Sequence, residues 1–179
     1  MKCPKCRNEP LKVTKLEDDL PVQGCDACGG AIISLLHYRD WAERTLNDEA
    51  DTDNSNLEVN EDSDTKTALA CPKCAKLMTK FKISGRTGNR LDLCTSCDEA
   101  WVDDGEWELL KALKISKIIP NVFTDSWQRR VRHEMSEKRS KERFHKLFGE
   151  ADMNKVDEIK LWLEGHPKKT EILFYLGKK

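Results

Sequence analysis

Cys71-Pro-Lys-Cys74, followed after 19 residues by Cys94-Thr-Ser-Cys97, decides the fold of this chain. The same pattern occurs earlier, where Cys3-Pro-Lys-Cys6 is followed after 18 residues by Cys25-Asp-Ala-Cys28. A pattern that returns at similar spacing indicates a tandem duplication. The chain therefore contains two small lobes of the same type.

Each cysteine pair has the spacing of a metal-binding turn. Two cysteines three positions apart can bind one ion from a tight turn, and two such turns supply the four thiolates of a tetrahedral zinc site. A disulfide framework is typically less regular and needs an oxidising compartment. A redox dithiol or an iron–sulfur cluster is the alternative. We predict two structural zinc ions, one held by Cys3, Cys6, Cys25 and Cys28 and the other by Cys71, Cys74, Cys94 and Cys97.

The residues between the cysteine pairs predict a β-hairpin in each lobe. In lobe two, residues 77–83 alternate apolar and polar side chains, a turn follows at 85–89, and the alternation resumes with Leu91 and Leu93. Lobe one repeats this more weakly, with Leu11 and Val13 before a turn near Asp19. Lobes of about 45 residues are close to the size at which a core alone fails, so zinc is expected to be a condition of folding.

Lobe two continues as Cys97-Asp-Glu-Ala-Trp101-Val-Asp103-Asp-Gly105-Glu106. This segment resembles the bacterial zinc-finger family named after transcription factor IIB, which reads Cys-x-x-Cys-Gly-Gly-x-Trp-aliphatic-Asp-x-Gly-Glu. Lobe two departs at the two glycines, and lobe one has Ile32 and Ser34 in place of the Trp and the Asp. The resemblance covers the two lobes and implies zinc binding, and the family name suggests a role in transcription.

The Trp–Asp–Gly–Glu segment has a structural and a functional interpretation. Trp101 is expected to pack over the hairpin near Leu91 or Leu93, and Asp103 to cap the helix that Glu106 continues. The alternative is that Trp101 binds a ligand.

The predicted domains are lobe one at 1–46, an acidic linker at 47–68, lobe two at 69–118 and a helical region at 119–179. The linker is rich in acidic residues and poor in apolar ones, so residues about 48–66 are expected to be disordered and the lobes to be mechanically independent. The linker could instead act as a phosphate mimic that competes for a basic surface.

The C-terminal third predicts three helices. A long one runs from about Thr124 to Phe148, a second reaches Glu164, and a third covers 168–176, where a strand at 172–176 is the rival interpretation. The two short helices are expected to pack together as a hairpin, with Trp162 in their core.

Between Arg129 and Lys146 the long helix carries eight basic and three acidic residues, and its basic side chains could contact phosphates. The alternative is a solvated helix with ion pairs at i,i+4 spacing. The candidate nucleic-acid contacts are Arg129, Arg130, Lys138, Arg139, Lys141 and Arg143.

Net charge, hydropathy and the absence of catalytic motifs limit the functions that are expected of this chain. Eight zinc-bound thiolates and two zinc ions would change the formal net charge from −1 to −5, so nucleic-acid binding must come from a local patch. No secretory signal and no apolar run of membrane-spanning length occurs, so a cytoplasmic location without membrane contact is expected. No nucleophile–base pair, open metal site or phosphate loop appears, so neither enzymatic activity nor a small-molecule substrate is expected.

These observations predict a small metal-bound α+β fold, with two zinc ribbons and a C-terminal α-helical region. The predicted function is that of a non-enzymatic zinc-binding protein that is nucleic-acid-associated or a transcription-related regulator. The partner would then be DNA or RNA. The alternative is a zinc-ribbon adaptor that binds a protein partner and no nucleic acid.

Overall fold

The computed structural model describes residues 1–17, 19–45 and 64–178. Its strands are β1 Lys12–Glu17, β2 Leu20–Gly24, β3 Ala31–Ser34, β4 Thr79–Lys82, β5 Arg90–Cys94 and β6 Glu99–Val102. Its helices are α1 Leu35–Thr45, α2 Glu106–Ala112, α3 Ile119–Val122, α4 Asp125–Phe148, α5 Glu150–Glu164 and α6 Lys169–Leu176. The predicted α+β class, with two cysteine-bearing hairpins and C-terminal helices, is confirmed.

The chain forms two compact units, Met1–Glu134 and Met135–Lys179. The first unit contains both cysteine-bearing lobes, and the second contains the end of α4 together with α5 and α6. No helix among the described residues is long and apolar enough to cross a membrane.

The two lobes build one six-stranded sheet in the order β1-β2-β3-β6-β5-β4. Each lobe contributes its hairpin and a third strand, and the third strands β3 and β6 pair antiparallel along their whole lengths. A lobe alone would leave this third strand as an unpaired edge with its hydrogen-bonding groups exposed. The expectation of mechanically independent lobes is therefore wrong, because the ladder of backbone hydrogen bonds continues from one lobe into the other.

The pairing of β3 with β6 is close to two-fold symmetric. Ile32 and Trp101 each lie four residues after the last cysteine of their lobe, and they are directly opposite each other in the ladder. Equivalent strands of the two copies thus pair as they would in an isologous dimer. The two duplicated lobes therefore pair with each other across an approximate two-fold axis within one chain.

The sheet separates two clusters of buried side chains. Side chains of a strand alternate between its faces. On one face Ile33, Leu91, Ala100 and Val102 pack with helices α1, α2 and α3. On the other face Ile32 and Trp101 pack among the cysteines. The helical face supplies the apolar core, and the opposite face carries the cysteine clusters.

Aromatic side chains on the helical face connect the lobes a second time. Trp41 of α1 lies 5.8 Å from Trp107 of α2, measured between ring centroids. Trp107 Nε1 donates to Glu17 Oε1 of β1 at 2.9 Å. Tyr38 Oη donates to the backbone carbonyl of Ser116 at 2.8 Å. Both faces of the sheet therefore hold the two lobes together.

The predicted linker ends earlier than expected. Its residues 47–63 lie outside the described part of the chain, so their predicted disorder stays a prediction. Asp64 and Thr65, however, are buried and hydrogen-bonded to lobe two. Their side chains satisfy buried polar groups, which a count of charges along the sequence does not reveal.

In the second unit α5 and α6 form as predicted, and α6 is a helix rather than the rival strand. Their expected mutual core is absent from the described residues. Trp162 is 57% exposed, and no residue of α6 is buried. The large apolar side chains of α5 and α6 therefore face solvent to a large extent.

We expect Gly30→Ala to destabilise the fold by about 1–3 kcal/mol, because an added Cβ would meet Trp101 Cζ2 of the other lobe at 2.3 Å. Combining it with Trp101→Phe should cost less than the sum of the single changes. Denaturant unfolding of the four proteins measures this coupling. Gly165→Ala, which has open space around its Cβ position, is the control. Additive effects would contradict contact between the lobes at this point.

Candidate metal centres

The first centre consists of Cys3, Cys6, Cys25 and Cys28, whose sulfur atoms all lie within 4.8 Å of one another. Cys3 Sγ is 3.7 Å from Cys28 Sγ, and Cys25 Sγ is 3.9 Å from Cys6 Sγ. Four sulfurs bound tetrahedrally at about 2.3 Å from zinc would be about 3.8 Å apart. A disulfide would bring two of them to about 2.05 Å. The spacing therefore fits a tetrahedral zinc site and excludes a disulfide.

The second centre repeats this arrangement with Cys71, Cys74, Cys94 and Cys97. Cys74 Sγ is 3.5 Å from Cys94 Sγ. In both centres the first cysteine of each pair is buried and the second is partly exposed. The predicted ligand sets are thus brought together in two groups of four, which suit two structural zinc ions.

Each cysteine pair lies in a turn that directs its backbone toward sulfur. The residue after the second cysteine has a positive φ in all four turns, at Arg7, Gly29, Ala75 and Asp98. Only glycine adopts this conformation without cost, although aspartate tolerates it better than most residues. The turn lets the backbone N–H of Cys6 donate to Cys3 Sγ at 3.3 Å. Such donors stabilise thiolate, the form that binds zinc.

The donor set of the second centre is suited to a cation. A hydrogen bond from the backbone N–H of Lys76 lowers the pKa of Cys74 to about 7. The hydrogen bond between Cys97 and Cys74, followed by burial, raises the pKa of Cys97 to about 12. One cysteine thus loses its proton readily, and its negative charge makes deprotonation of the neighbouring cysteines less favourable. Four thiolates therefore coexist only when a cation offsets their charge. Four cysteine ligands leave no open position, which is the mark of a structural rather than a catalytic zinc site.

Comparison with known families agrees with this geometry. Residues 2–44 match the family described as transcription factor zinc-finger. The resemblance drawn from the motifs is therefore confirmed for lobe one, and the second four-cysteine group is consistent with a second copy. No curated protein and no solved structure matches the chain. The protein is therefore a zinc-binding protein, with a zinc-finger match in lobe one and two four-cysteine centres that suit structural zinc ions.

Trp101 and Asp103 of lobe two take part in a polar network beside the second centre. Trp101 is fully buried and donates through Nε1 to Asp103 Oδ1 at 3.1 Å. Asp103 also accepts hydrogen bonds from Thr65 and from Lys5 of lobe one, the latter at 3.0 Å. The expected packing of Trp101 on Leu91 or Leu93 is wrong, because those residues lie on the opposite face of the sheet. Trp101 is buried among the cysteines and is unavailable to a ligand in this structure.

The start of α2 differs from the predicted cap. Gly105, at φ 78°, is the N-cap residue, and no side chain caps the helix. Glu106 Oε2 instead accepts from the backbone N–H of Asp103 at 2.8 Å, which is the reciprocal half of a capping box. Asp103 does not cap because its carboxylate is already taken by Trp101, Thr65 and Lys5.

Burial isolates Glu106 from solvent. Glu106 is 1% exposed, its Oε1 has no hydrogen-bond partner, and Asp64 and Asp103 lie close to it. Desolvation raises the pKa of Glu106 to about 8. Asp64 is held by Arg90, whose Nη2 donates to Asp64 Oδ2 at 2.7 Å. The sequence does not reveal this network, because Asp64 lies in the acidic stretch predicted to be a linker and its partner Arg90 is 26 residues further along the chain.

Lysines lie within or next to the first cysteine pair of each lobe. Lys5 pairs with Asp103 and Lys73 with Glu99, each at 3.0 Å, while Lys76 donates to Ser96 Oγ. Lys5 and Lys73 thus bind carboxylates that surround the centres.

The six candidate nucleic-acid contacts are exposed on α4. Arg129 and Arg130 lie in the first unit, where Arg130 stacks 4.0 Å over the Trp127 ring. The other four lie in the second unit, where Lys141 pairs with Asp157 at 3.1 Å. Arg130 and Lys141 are therefore partly occupied by contacts within the protein.

We expect Cys94→Ser to leave no more than one tightly bound zinc per chain and to perturb both lobes. Cys94, Cys25 and Trp101 belong to one buried cluster, so loss of the second centre removes support from the first. Elemental analysis measures the zinc, and proton–nitrogen NMR reports the state of each lobe. Ser96→Ala in the same turn should retain two zinc ions. Unchanged lobe-one signals in Cys94→Ser would contradict the shared core.

We expect the stability of the zinc-loaded protein to fall from pH 6 to about pH 8. Glu106 holds its proton more tightly folded than unfolded, because its pKa rises from 4.5 to about 8, so its contribution declines as the pH rises through this window. Glu106→Gln should flatten the decline, while Glu108→Gln on the exposed side of α2 should not. Urea midpoints with zinc retained provide the measurement. Equal slopes in wild type and Glu106→Gln would refute the assignment.

Proposed function

We propose that this protein is a non-enzymatic, zinc-stabilised regulator that binds nucleic acid through the second-unit part of α4. The supporting observation is an exposed row of cations. Arg139, Arg143 and Lys146 lie at i, i+4 and i+7, so they share one side of the helix, and all three are exposed. A row of this kind can contact the negatively charged phosphates of a nucleic-acid backbone.

The adjoining side of α4 extends the basic surface. Lys138, Lys141 and Lys146 line an open groove of about 440 Å³ together with Glu142 and His145. Lys141 is held by Asp157, so Lys138 and Lys146 are the groove cations that can turn toward a phosphate. About four cations are then available for contact, and most of the affinity would be electrostatic and insensitive to base sequence.

The zinc centres support a scaffolding role in this proposal. Each offers four cysteine ligands and no open coordination position, and the family motif residues Trp101, Asp103 and Glu106 are buried in a structural network. Their chemistry positions strands and helices rather than a substrate. The proposed regulator therefore acts by binding and not by catalysis.

A protein adaptor is the second candidate, and it has an observation of its own. Helices α5 and α6 expose large apolar side chains, among them Ile159, Trp162 and Phe174. Such patches are typical of protein interfaces. The two candidates differ in the partner that they bind, and the salt dependence of DNA binding tests the nucleic-acid binder.

We expect duplex DNA to bind with a slope of log affinity against log salt of about −4, which corresponds to about four neutralised phosphates. Arg139→Glu with Arg143→Glu should flatten that slope by about two without loss of zinc. Lys155→Glu with Lys160→Glu on α5, an equal change of charge, is the control. Fluorescence anisotropy between about 50 and 200 mM salt measures these slopes. Absence of binding to DNA and RNA at the lowest salt would contradict the nucleic-acid binder and leave the protein adaptor as the remaining candidate.

A further inference from the structure

The second unit lacks a core of its own. Among its described residues, Met153 and Leu163 are the buried hydrophobic side chains, whereas ten large hydrophobic residues are exposed. A unit of this size is close to the limit below which a chain needs a metal, a disulfide or a partner to remain folded. The described residues of the unit contain neither a disulfide nor a metal-binding group. A partner surface would add the apolar burial that this unit lacks.

Part of the exposed apolar surface continues the buried side of α5. Val156, Ile159 and Trp162 recur at three-residue spacing next to the buried Met153 and Leu163. On α6 the exposed apolar residues include Leu173, Phe174 and Leu176. We call these six exposed residues the apolar face: Val156, Ile159, Trp162, Leu173, Phe174 and Leu176.

We infer that the apolar face binds the apolar face of a second copy of this chain. By their exposed fractions, its six side chains present on the order of 600 Å² of apolar surface. A standard interface buries about 800 Å² on each partner and includes a polar rim. The apolar face therefore supplies most of the surface area that a dimer interface buries, and neighbouring charged residues would supply the remaining area.

Helix α5 and the segment that contains α6 carry net charges of opposite sign, which makes two copies of the chain complementary to each other. Helix α5 carries five acidic and two basic residues. Lys168, Lys169 and Lys178 flank or begin α6, which contains one acidic residue, Glu171. No ion pair joins α5 to α6 among the described residues. In a two-fold arrangement, the lysines of α6 from one copy can meet the carboxylates of α5 from the other, twice per dimer.

Another segment of the chain is a poor fit for this surface. The acidic stretch 46–63 contains only Leu46, Leu57 and Val59 as large apolar residues. Its many carboxylates would also repel acidic α5. A second copy satisfies both the apolar and the electrostatic requirements. The inference goes beyond the proposed function, because dimerisation through α5 and α6 needs no nucleic acid.

Light scattering of the full-length, zinc-loaded protein between about 1 and 100 μM tests the inference, since interfaces of modest size commonly have micromolar affinities. We expect a mass of twice the 20.6 kDa chain at the upper end of this range. Trp162→Glu with Leu173→Glu should return the mass to that of one chain, with zinc content and helical circular dichroism unchanged. Leu161→Glu is the matched control, because Leu161 is exposed on α5 but lies about 160° around the helix from Ile159.

A charge-swap experiment tests the identity of the partner. One variant carries Lys168→Glu and Lys169→Glu, and the other carries Glu158→Lys and Glu164→Lys. Each should be monomeric alone because both of its contacts become repulsive, and the equimolar mixture should form heterodimers.

A monomeric wild-type protein at 100 μM would overturn the inference, as would dimers that survive Trp162→Glu with Leu173→Glu. Binding of the monomer to lipid vesicles or to another protein through the same residues would assign the face to a different occupant and overturn it equally.

Discussion

Backbone pairing between β3 and β6 is the constraint on which the rest of the first unit depends. It joins two hairpins, each too small to build a core, into one six-stranded sheet with a helical face and a cysteine-bearing face. Because equivalent strands pair around Ile32 and Trp101, the duplicated copies meet as two subunits of a dimer would. Each zinc ion then joins the two cysteine pairs at the ends of one hairpin, and the two ions together help to hold the strands of the shared sheet in register.

The same constraint explains why the two copies have diverged. Near the pseudo-two-fold axis there is room for one indole: Trp101 of lobe two occupies it, and lobe one has Ile32 opposite and Gly30 beneath the ring. A second tryptophan at position 32 would compete for that space. The absence of a tryptophan at position 32 thus agrees with the packing of the two copies, and Asp103 has partners from both copies through Lys5 and Trp101.

Local features could be predicted from the sequence, whereas contacts between distant segments could not. The cysteine pairs, the lobe-two hairpin and α4 follow from spacing, alternation and helix-ending residues. Strands β3 and β6 were missed because they are four residues long and largely buried on both faces, which hides alternation. Their pairing and the burial of Asp64 depend on groups far apart in the chain. The apolar stripe of α5 was recognised, but the absence of a partner within the unit required coordinates.

Native-state hydrogen exchange tests the shared sheet most directly. The amides of Ile33 in β3 and Ala100 in β6 should open with the same free energy, because either strand can be released only by breaking the ladder between them. Stepwise removal of zinc with a chelator should then abolish protection at both amides together. Protection that persists at the amide of Ile32, which pairs with Gln23 inside lobe one, after Ile33 and Ala100 exchange freely would show that lobe one folds alone and would contradict this account.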